Sequence, residues 1–221
     1  MAAILFGSIS TLADTSELQR RAFNEAFAAY GLDWTWSRDE YTAMLDASGG
    51  SRRIAAYAAA RGDDVDAAEL HDTKSRIFQE LLGVTTPSLR PGVLDTIRIA
   101  KEHSIKLGFV TTTAPENVAA LLAALHPHIT ADTFDIIVDS NCVRRPKPDP
   151  AAYVLALNGL GEKEDGAVAV EDNAAGVKAA TSAGIVCIAF PNENTAIHDF
   201  SFAAEMVRTL EPKRVLSHLN M

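Results

Sequence analysis

Five short apolar runs, each closed by a polar or glycine-containing turn, confine this chain to a narrow set of folds. The runs are Ala3–Phe6, Lys106–Val110, Phe134–Val138, Ala167–Val170 and Val186–Phe190. Helical patterns separate them, and that alternation predicts an α/β fold, a parallel sheet flanked by helices. Ligands in such sheets bind beyond the carboxyl ends of the strands. The rule gathers Gly7–Thr11, Thr111–Thr113 and Glu171–Asn173 around one crevice.

The stretch from Ser16 to about Leu82 reads differently. Leu18, Ala22, Ala26, Phe27 and Tyr30 share one helical face, and Gly31 ends that helix. Ser37 suits the start of a second helix through Leu45, and Gly49 and Gly50 break the chain again. Ala67 to Leu82 reads as another amphipathic helix. An all-helical insertion directly after the first strand reads as a cap. The expected division is a core of residues 1–15 and 84–221 with a cap of residues 16–83, linked near Leu12–Thr15 and Gly83–Pro91. Trp34 and Trp36 are expected to pack inside the cap.

Composition bounds the function. A hydrophobic share of 48% over 221 residues is enough for a filled core. A net charge of −9 with no basic run argues against nucleic-acid or anionic-membrane binding. It leaves room for a locally positive pocket. No signal peptide or membrane span is evident. Two cysteines, Cys142 and Cys187, fit a reducing cytoplasm, and both are expected to be buried thiols.

Four segments carry candidate chemistry. The first strand runs into Gly7, Ser8, Ile9, Ser10, Thr11 and Leu12, with Asp14 and Thr15 just beyond. The second ends in Thr111, Thr112 and Thr113, whose hydroxyls and N–H groups suit a phosphate oxygen. Pro115 then suits the first turn of a helix whose N-terminus favours anions. Prolines on both sides of Lys147 restrict its backbone, and a held ammonium there can offset an anion. Glu171 and Asp172 close an apolar strand, a placement suited to Mg²⁺ ligation or to a helix start.

Together these segments resemble the haloacid dehalogenase (HAD) superfamily over nearly the whole chain. The pattern Lys147, Pro148, Asp149, Pro150 with Tyr153, and the pattern Val170 to Asn173 with Gly176, carry the resemblance in combination. The insert is similar to the cap of the β-phosphoglucomutase/CbbY branch at Arg21–Asn24, Gly31–Trp34, Gly49–Ile54 and His71–Lys74. The resemblance implies a Rossmann-like core, a helical cap and descent from a Mg²⁺-dependent sugar-phosphate phosphatase. It assigns Thr111, Thr112 and Lys147 to phosphate, Glu171 and Asp172 to the metal, and Arg53, Lys74 and Gln19 to the cap side of the substrate site. Lys74 reads equally well as a solvated helical lysine.

The first motif departs from the family pattern. The family's nucleophilic aspartate corresponds to Gly7 and its acid/base aspartate to Ile9. Glycine carries no nucleophile and isoleucine no proton. Ser10 stands for a glycine, Gln19 for a histidine and Ser51 for a lysine. Losing the first aspartate also removes a hard oxygen ligand, so Mg²⁺ binding should be weakened. The expected function is an impaired paralogue retaining a phosphorylated ligand or a protein partner; the alternatives are an active phosphatase with a displaced mechanism, through Ser8 or Ser10, and a purely structural persistence of the motifs. The acid nearest Ser8 in sequence is Asp14.

Overall fold

A computed structural model describes residues 2–45 and 49–219; the outermost residues of the expected core and residues 46–48 of the expected cap lie outside it. Strand β1 (Ala3–Phe6) is followed by a single turn, α1 (Ile9–Leu12), then by helices α2 (Ser16–Ala29), α3 (Arg38–Ala43), α4 (Gly50–Arg61) and α5 (Ala67–Val84). The chain then alternates: α6 (Val93–Glu102), β2 (Lys106–Val110), α7 (Pro115–Leu125), β3 (Ile136–Val138), α8 (Ala151–Leu160), β4 (Ala167–Glu171), α9 (Ala174–Ser182) and β5 (Val186–Ala189). A two-residue strand β6 (Glu205–Met206) and α10 (Pro212–Leu216) complete it.

The strands form one sheet in the order β3-β2-β1-β4-β5-β6, and each neighbouring pair is parallel. This is the α/β, Rossmann-like architecture expected. β1 lies between β2 and β4, so the turns after these three strands meet at one edge. The central strands are buried on both faces, with Ile4, Phe6, Phe109, Val168 and Val170 on one side and Leu5, Val110, Ala169 and Cys187 on the other. That two-sided burial explains why their sequences read as continuous apolar runs rather than as alternation.

Several expected boundaries shift by one or two residues. β3 begins at Ile136 rather than Phe134, because the Asp135 carboxylate accepts from Leu107 N (2.7 Å) and its own N–H donates to Leu107 O (2.8 Å). α3 ends at Ala43, two residues before Leu45. β6 was not expected, since a two-residue strand carries no periodicity. Cys142 is exposed, which corrects the expectation of a buried thiol; it sits in the polar turn after β3, where nothing packs over it. Cys187 is buried in β5.

The inserted helices have their own apolar cluster. Phe23, Phe27, Trp34, Trp36 and Tyr41 meet there with Ile54 and Leu70. Trp36 is fully buried, its ring 4.8 Å from Phe23 and 4.7 Å from Phe27. Ser37 starts α3 through a reciprocal pair, its hydroxyl accepting from Glu40 N (3.2 Å) and its N–H donating to the Glu40 carboxylate (2.8 Å). Gly31 stands at φ +73°, so the chain can leave α2 in the left-handed region at no side-chain cost.

Polar ties join this cluster to the sheet. Arg38 of α3 donates to Asn194 Oδ1 (2.8 Å) and Glu193 Oε2 (2.6 Å) in the loop after β5. Gln79 of α5 donates to Asn117 of α7 (2.9 Å).

The aromatic cluster and the surface tie should differ sharply in weight. Trp36→Ala removes a fully buried ring and should cost about 3–5 kcal/mol in urea unfolding. Arg38→Ala breaks a solvent-exposed ion pair and should leave the unfolding midpoint almost unchanged. Equal losses would show that the insert is held by its polar ties rather than by its rings.

Candidate functional site

The site begins with the ends of β1, β2 and β4. Gly7 N donates to Val170 O (2.8 Å), extending the ladder one residue past β1 and fixing Gly7 at the sheet's carboxyl edge. Lys147 arrives from the proline-flanked loop and is 4% exposed. Its ammonium donates to Gly7 O, to Val110 O (2.7 Å) and to Glu171 Oε1 (2.6 Å). These three acceptors use all three of its N–H bonds, and they belong to the ends of three adjacent strands.

Glu171 is fully buried, and Tyr153 OH also donates to its Oε1 (2.8 Å). Its other oxygen has no hydrogen-bond partner among the described residues. Burial pushes its pKa up, against the opposing pull of Lys147. A Cβ added to Gly7 would overlap the Glu171 carboxyl and the Tyr153 hydroxyl, and a Cβ on Gly176 would overlap the same carboxyl. Glu171 therefore fills the space into which a side chain at position 7 would project.

Asp172 faces the other way, towards the crevice. Its Oδ1 accepts from Ser8 Oγ (2.7 Å) and Asn173 Nδ2 (2.7 Å), and its Oδ2 from Asn192 Nδ2 (3.2 Å). Asn173 itself starts α9 by accepting from Gly176 N (2.9 Å), so Asp172 is not the helix cap. Asp14, the acid nearest Ser8 in sequence, instead accepts from Ser16 N (3.1 Å); the fold brings Asp172 to Ser8 from 164 residues away. Ile9 is 5% exposed and packs in the main apolar cluster.

A cavity of about 470 Å³ separates this edge from the inserted helices. Gly7, Ser8, Ile9, Thr111, Thr112, Lys147 and Asp172 line it from the sheet, and Gln19, Arg53, His71 and Lys74 from the insert. Among the expected site residues Glu171 alone is absent from its lining. Thr111 is fixed by its N–H to Val138 O (2.8 Å), and its hydroxyl accepts from Thr113 N (3.1 Å). Arg53 Nε donates to Met44 O (2.9 Å), and its guanidinium lies 5.6 Å from the Tyr41 ring centre.

Lys74 is only 4% exposed, which overturns its reading as a solvated helical lysine. It donates to Gln19 Oε1, and its ammonium stands 4.7 Å from the Phe23 ring centre and 5.0 Å from that of Phe78. No carboxylate pairs with it among the described residues. Burial, helped by the Arg53 charge, brings its pKa down to about 7. His71, one helical turn earlier on the same face, is held down to about 4 by burial and by Lys74. The residue-by-residue reading gave His71 and Asn117 no role, although the three-residue spacing of His71 and Lys74 was available as a signal.

The donor set does not fit a resident Mg²⁺. Glu171 is ion-paired and turned into the core, and Asp172 already accepts from three protein donors. No group of three or more His, Cys, Asp or Glu side chains converges among the described residues. Among those residues, no helix is long and apolar enough to cross a membrane.

The sheet order and the four segments at its edge define a hydrolase class. Residues 1–184 match the haloacid dehalogenase-like hydrolase family, and the chain belongs to it. Within that family it falls in the CbbY-like branch. It is 41% identical over 208 residues to the protein CbbY of Cereibacter sphaeroides, covering 93% of this chain and 90% of that one. The crystal structure of CbbY from Rhodobacter sphaeroides in complex with phosphate superposes with a TM-score of 0.90 at 39% identity, covering all of both chains. A mutant of the same protein, solved with xylulose-(1,5)bisphosphate, gives the same TM-score, identity and coverage.

Two consequences can be measured. Lys147→Met would leave Glu171 buried without its cation and should cost about 3–5 kcal/mol in denaturant unfolding. A loss below about 1 kcal/mol would show that Glu171 is held neutral by other means.

Lys74 has the opposite sign. The unfolded chain keeps this proton up to the usual 10.5, whereas the folded chain loses it near 7. The unfolded state therefore binds more protons between those limits, and stability should rise with pH across the window. Below pH 7 the full cost of the buried charge is present. Lys74→Met should remove that rise, so the mutant's advantage measured near neutrality should shrink as pH approaches 10.5. A pH-independent difference between the two proteins would contradict the shift.

Proposed function

We propose that this chain is a CbbY-like protein that binds a phosphorylated sugar between its insert and the sheet edge with little or no hydrolysis. The observation that carries this reading is the occupied space beside Gly7: Glu171 fills it, tied to Lys147 and Tyr153, and does not reach the cavity. No carboxylate at position 7 attacks phosphorus, and Ile9 has no proton to give. Anion binding needs neither residue. Thr111, Thr112 and the start of α7 supply hydroxyl and N–H donors on one wall, with Lys147 behind them, and the Arg53 guanidinium supplies a cation on the other. Two separated positive regions suit a sugar carrying two phosphates, the kind of ligand seen with the CbbY relative.

In this reading, residues 16–83 act as a cap over a core of residues 1–15 and 84–221, in the cytoplasm, with Mg²⁺ held weakly if at all. Binding should raise thermal stability, because ligand held only by the folded state shifts unfolding by mass action. Xylulose 1,5-bisphosphate should raise Tm, while released phosphate stays at the level of an Asp172→Ala control. The Gly7→Asp/Ile9→Asp pair should gain Mg²⁺-dependent phosphate release. The carboxylate introduced at position 7 must first displace the flexible end of Glu171, so a lowered Tm should accompany the gain. No Tm shift with any sugar phosphate would defeat the binding reading.

One contact favours a second reading. Ser8 Oγ lies 2.7 Å from the Asp172 carboxylate and lines the cavity, which is the pairing of hydroxyl and base that an activated serine requires. Robust phosphate release by the unmodified chain, abolished by Ser8→Ala, would establish that displaced mechanism.

A further inference from the structure

Among the described residues lining the cavity, Lys74 is the cation whose side chain has other chemistry available. Arg53 stays protonated and binds anions only. Lys147 spends its three N–H bonds on Gly7, Val110 and Glu171. Lys74 lies in the cavity wall between the Phe23 and Phe78 rings, with the Gln19 amide oxygen as its hydrogen-bond partner and no carboxylate beside it among the described residues. A desolvated amine next to another cation is the setting in which lysine becomes a carbonyl nucleophile. Burial and the Arg53 charge bring it to half-neutral near pH 7, so an unprotonated lone pair is available.

The ligand class proposed above carries the matching group. A pentulose with phosphates on both terminal oxygens has no terminal hydroxyl free to close a furanose ring. Its ketone stays open.

We propose that Lys74 is a carbonyl-capturing residue that forms a reversible imine with an open-chain keto or aldehyde sugar phosphate bound in this cavity. The inference rests on the binding reading above. The Nζ lone pair adds to the carbonyl carbon, and the C=O π pair moves to oxygen, which takes the proton that the nitrogen releases. The resulting carbinolamine loses that oxygen as water after a second proton arrives, and nitrogen keeps a double bond to carbon. No electron is gained or lost overall. His71, uncharged over this range and on the same helical face, is placed to pass protons between the carbinolamine and solvent. Such capture gives a chain without the family's nucleophile a covalent hold on its ligand that does not touch the phosphate esters.

The test is reductive trapping. The full chain is mixed with xylulose 1,5-bisphosphate and cyanoborohydride, whose hydride reduces the imine to a stable secondary amine. Intact mass should rise by the ligand's mass less one oxygen atom, and peptide mapping should place the label on Lys74, formed about tenfold or more faster than on any surface lysine. The corresponding pentitol bisphosphate, which has no carbonyl, should leave no label and should compete with trapping of the ketose. Lys74→Arg should lose the label. Should that variant fail to fold, competition by the pentitol bisphosphate still localises the reaction to the cavity in the unmodified protein. Absent or evenly scattered labelling overturns the proposal. If the Tm shift persists in that case, the binding reading stands without the imine; if it is missing too, both fall.

Discussion

The Lys147 ammonium holds the site edge together. It binds the carbonyl of Gly7 after β1, the carbonyl of Val110 at the end of β2 and the carboxylate of Glu171 at the end of β4. A parallel sheet leaves such carbonyls pointing past the strand ends, where buried acceptors need donors. One desolvated cation satisfies two of these carbonyls and neutralises a carboxylate that has no access to water. Apolar replacement of such an ensemble can be neutral, but removal of one member leaves a buried charge exposed to no counter-ion. This asymmetry makes Lys147 and Glu171 a framework of the sheet edge, independent of what chemistry position 7 supplies.

The change at position 7 is coupled to that framework through space rather than sequence. Two glycines, Gly7 and Gly176, leave room on both sides of the Glu171 carboxyl, and Tyr153 closes the remaining side. A side chain at position 7 and Glu171 in its present rotamer cannot coexist. Asp172 is similarly committed, to Ser8, Asn173 and Asn192. The same loop carries Asn194, which binds Ser16 and Glu17 at the start of α2 and accepts from Arg38. The acid facing the cavity is thus joined to the base of the insert by a short chain of amide hydrogen bonds.

The order of apolar runs was enough to announce the sheet, because strands buried on both faces must be apolar throughout. The Thr111, Lys147 and Glu171 segments were legible because each sits where a strand end or a proline-restricted turn fixes its position. What sequence could not give was the direction of side chains. Glu171 and Asp172 are adjacent, yet β-strand geometry sends one into the core and leaves the other at the crevice. Nor could it place Asp172 against Ser8, a contact made only by the β1–β4 pairing. Lys74 was ambiguous for a related reason: one lysine on a helix of mixed character carries no sign of whether its face will be covered. Phe23 and Phe78, from two different helices, decide that it is.

The burial of Lys74 and the half-burial of Arg53 also constrain how a ligand can sit. An anion beside a desolvated amine favours the protonated form, whereas capture of a carbonyl requires the neutral one. A phosphate placed against Lys74 would therefore suppress its nucleophilicity. Arg53 faces no such conflict, since its guanidinium keeps its proton whatever approaches. An arrangement that uses both residues must set the insert-side phosphate on Arg53, and the sugar carbon chain, not the phosphate, against Lys74. The aromatic faces of Phe23 and Phe78 around the amine suit that division, being surfaces for carbon rather than for phosphate oxygens. The net charge of −9 then has little bearing on ligand choice, because most of the charged side chains lining the cavity are positive.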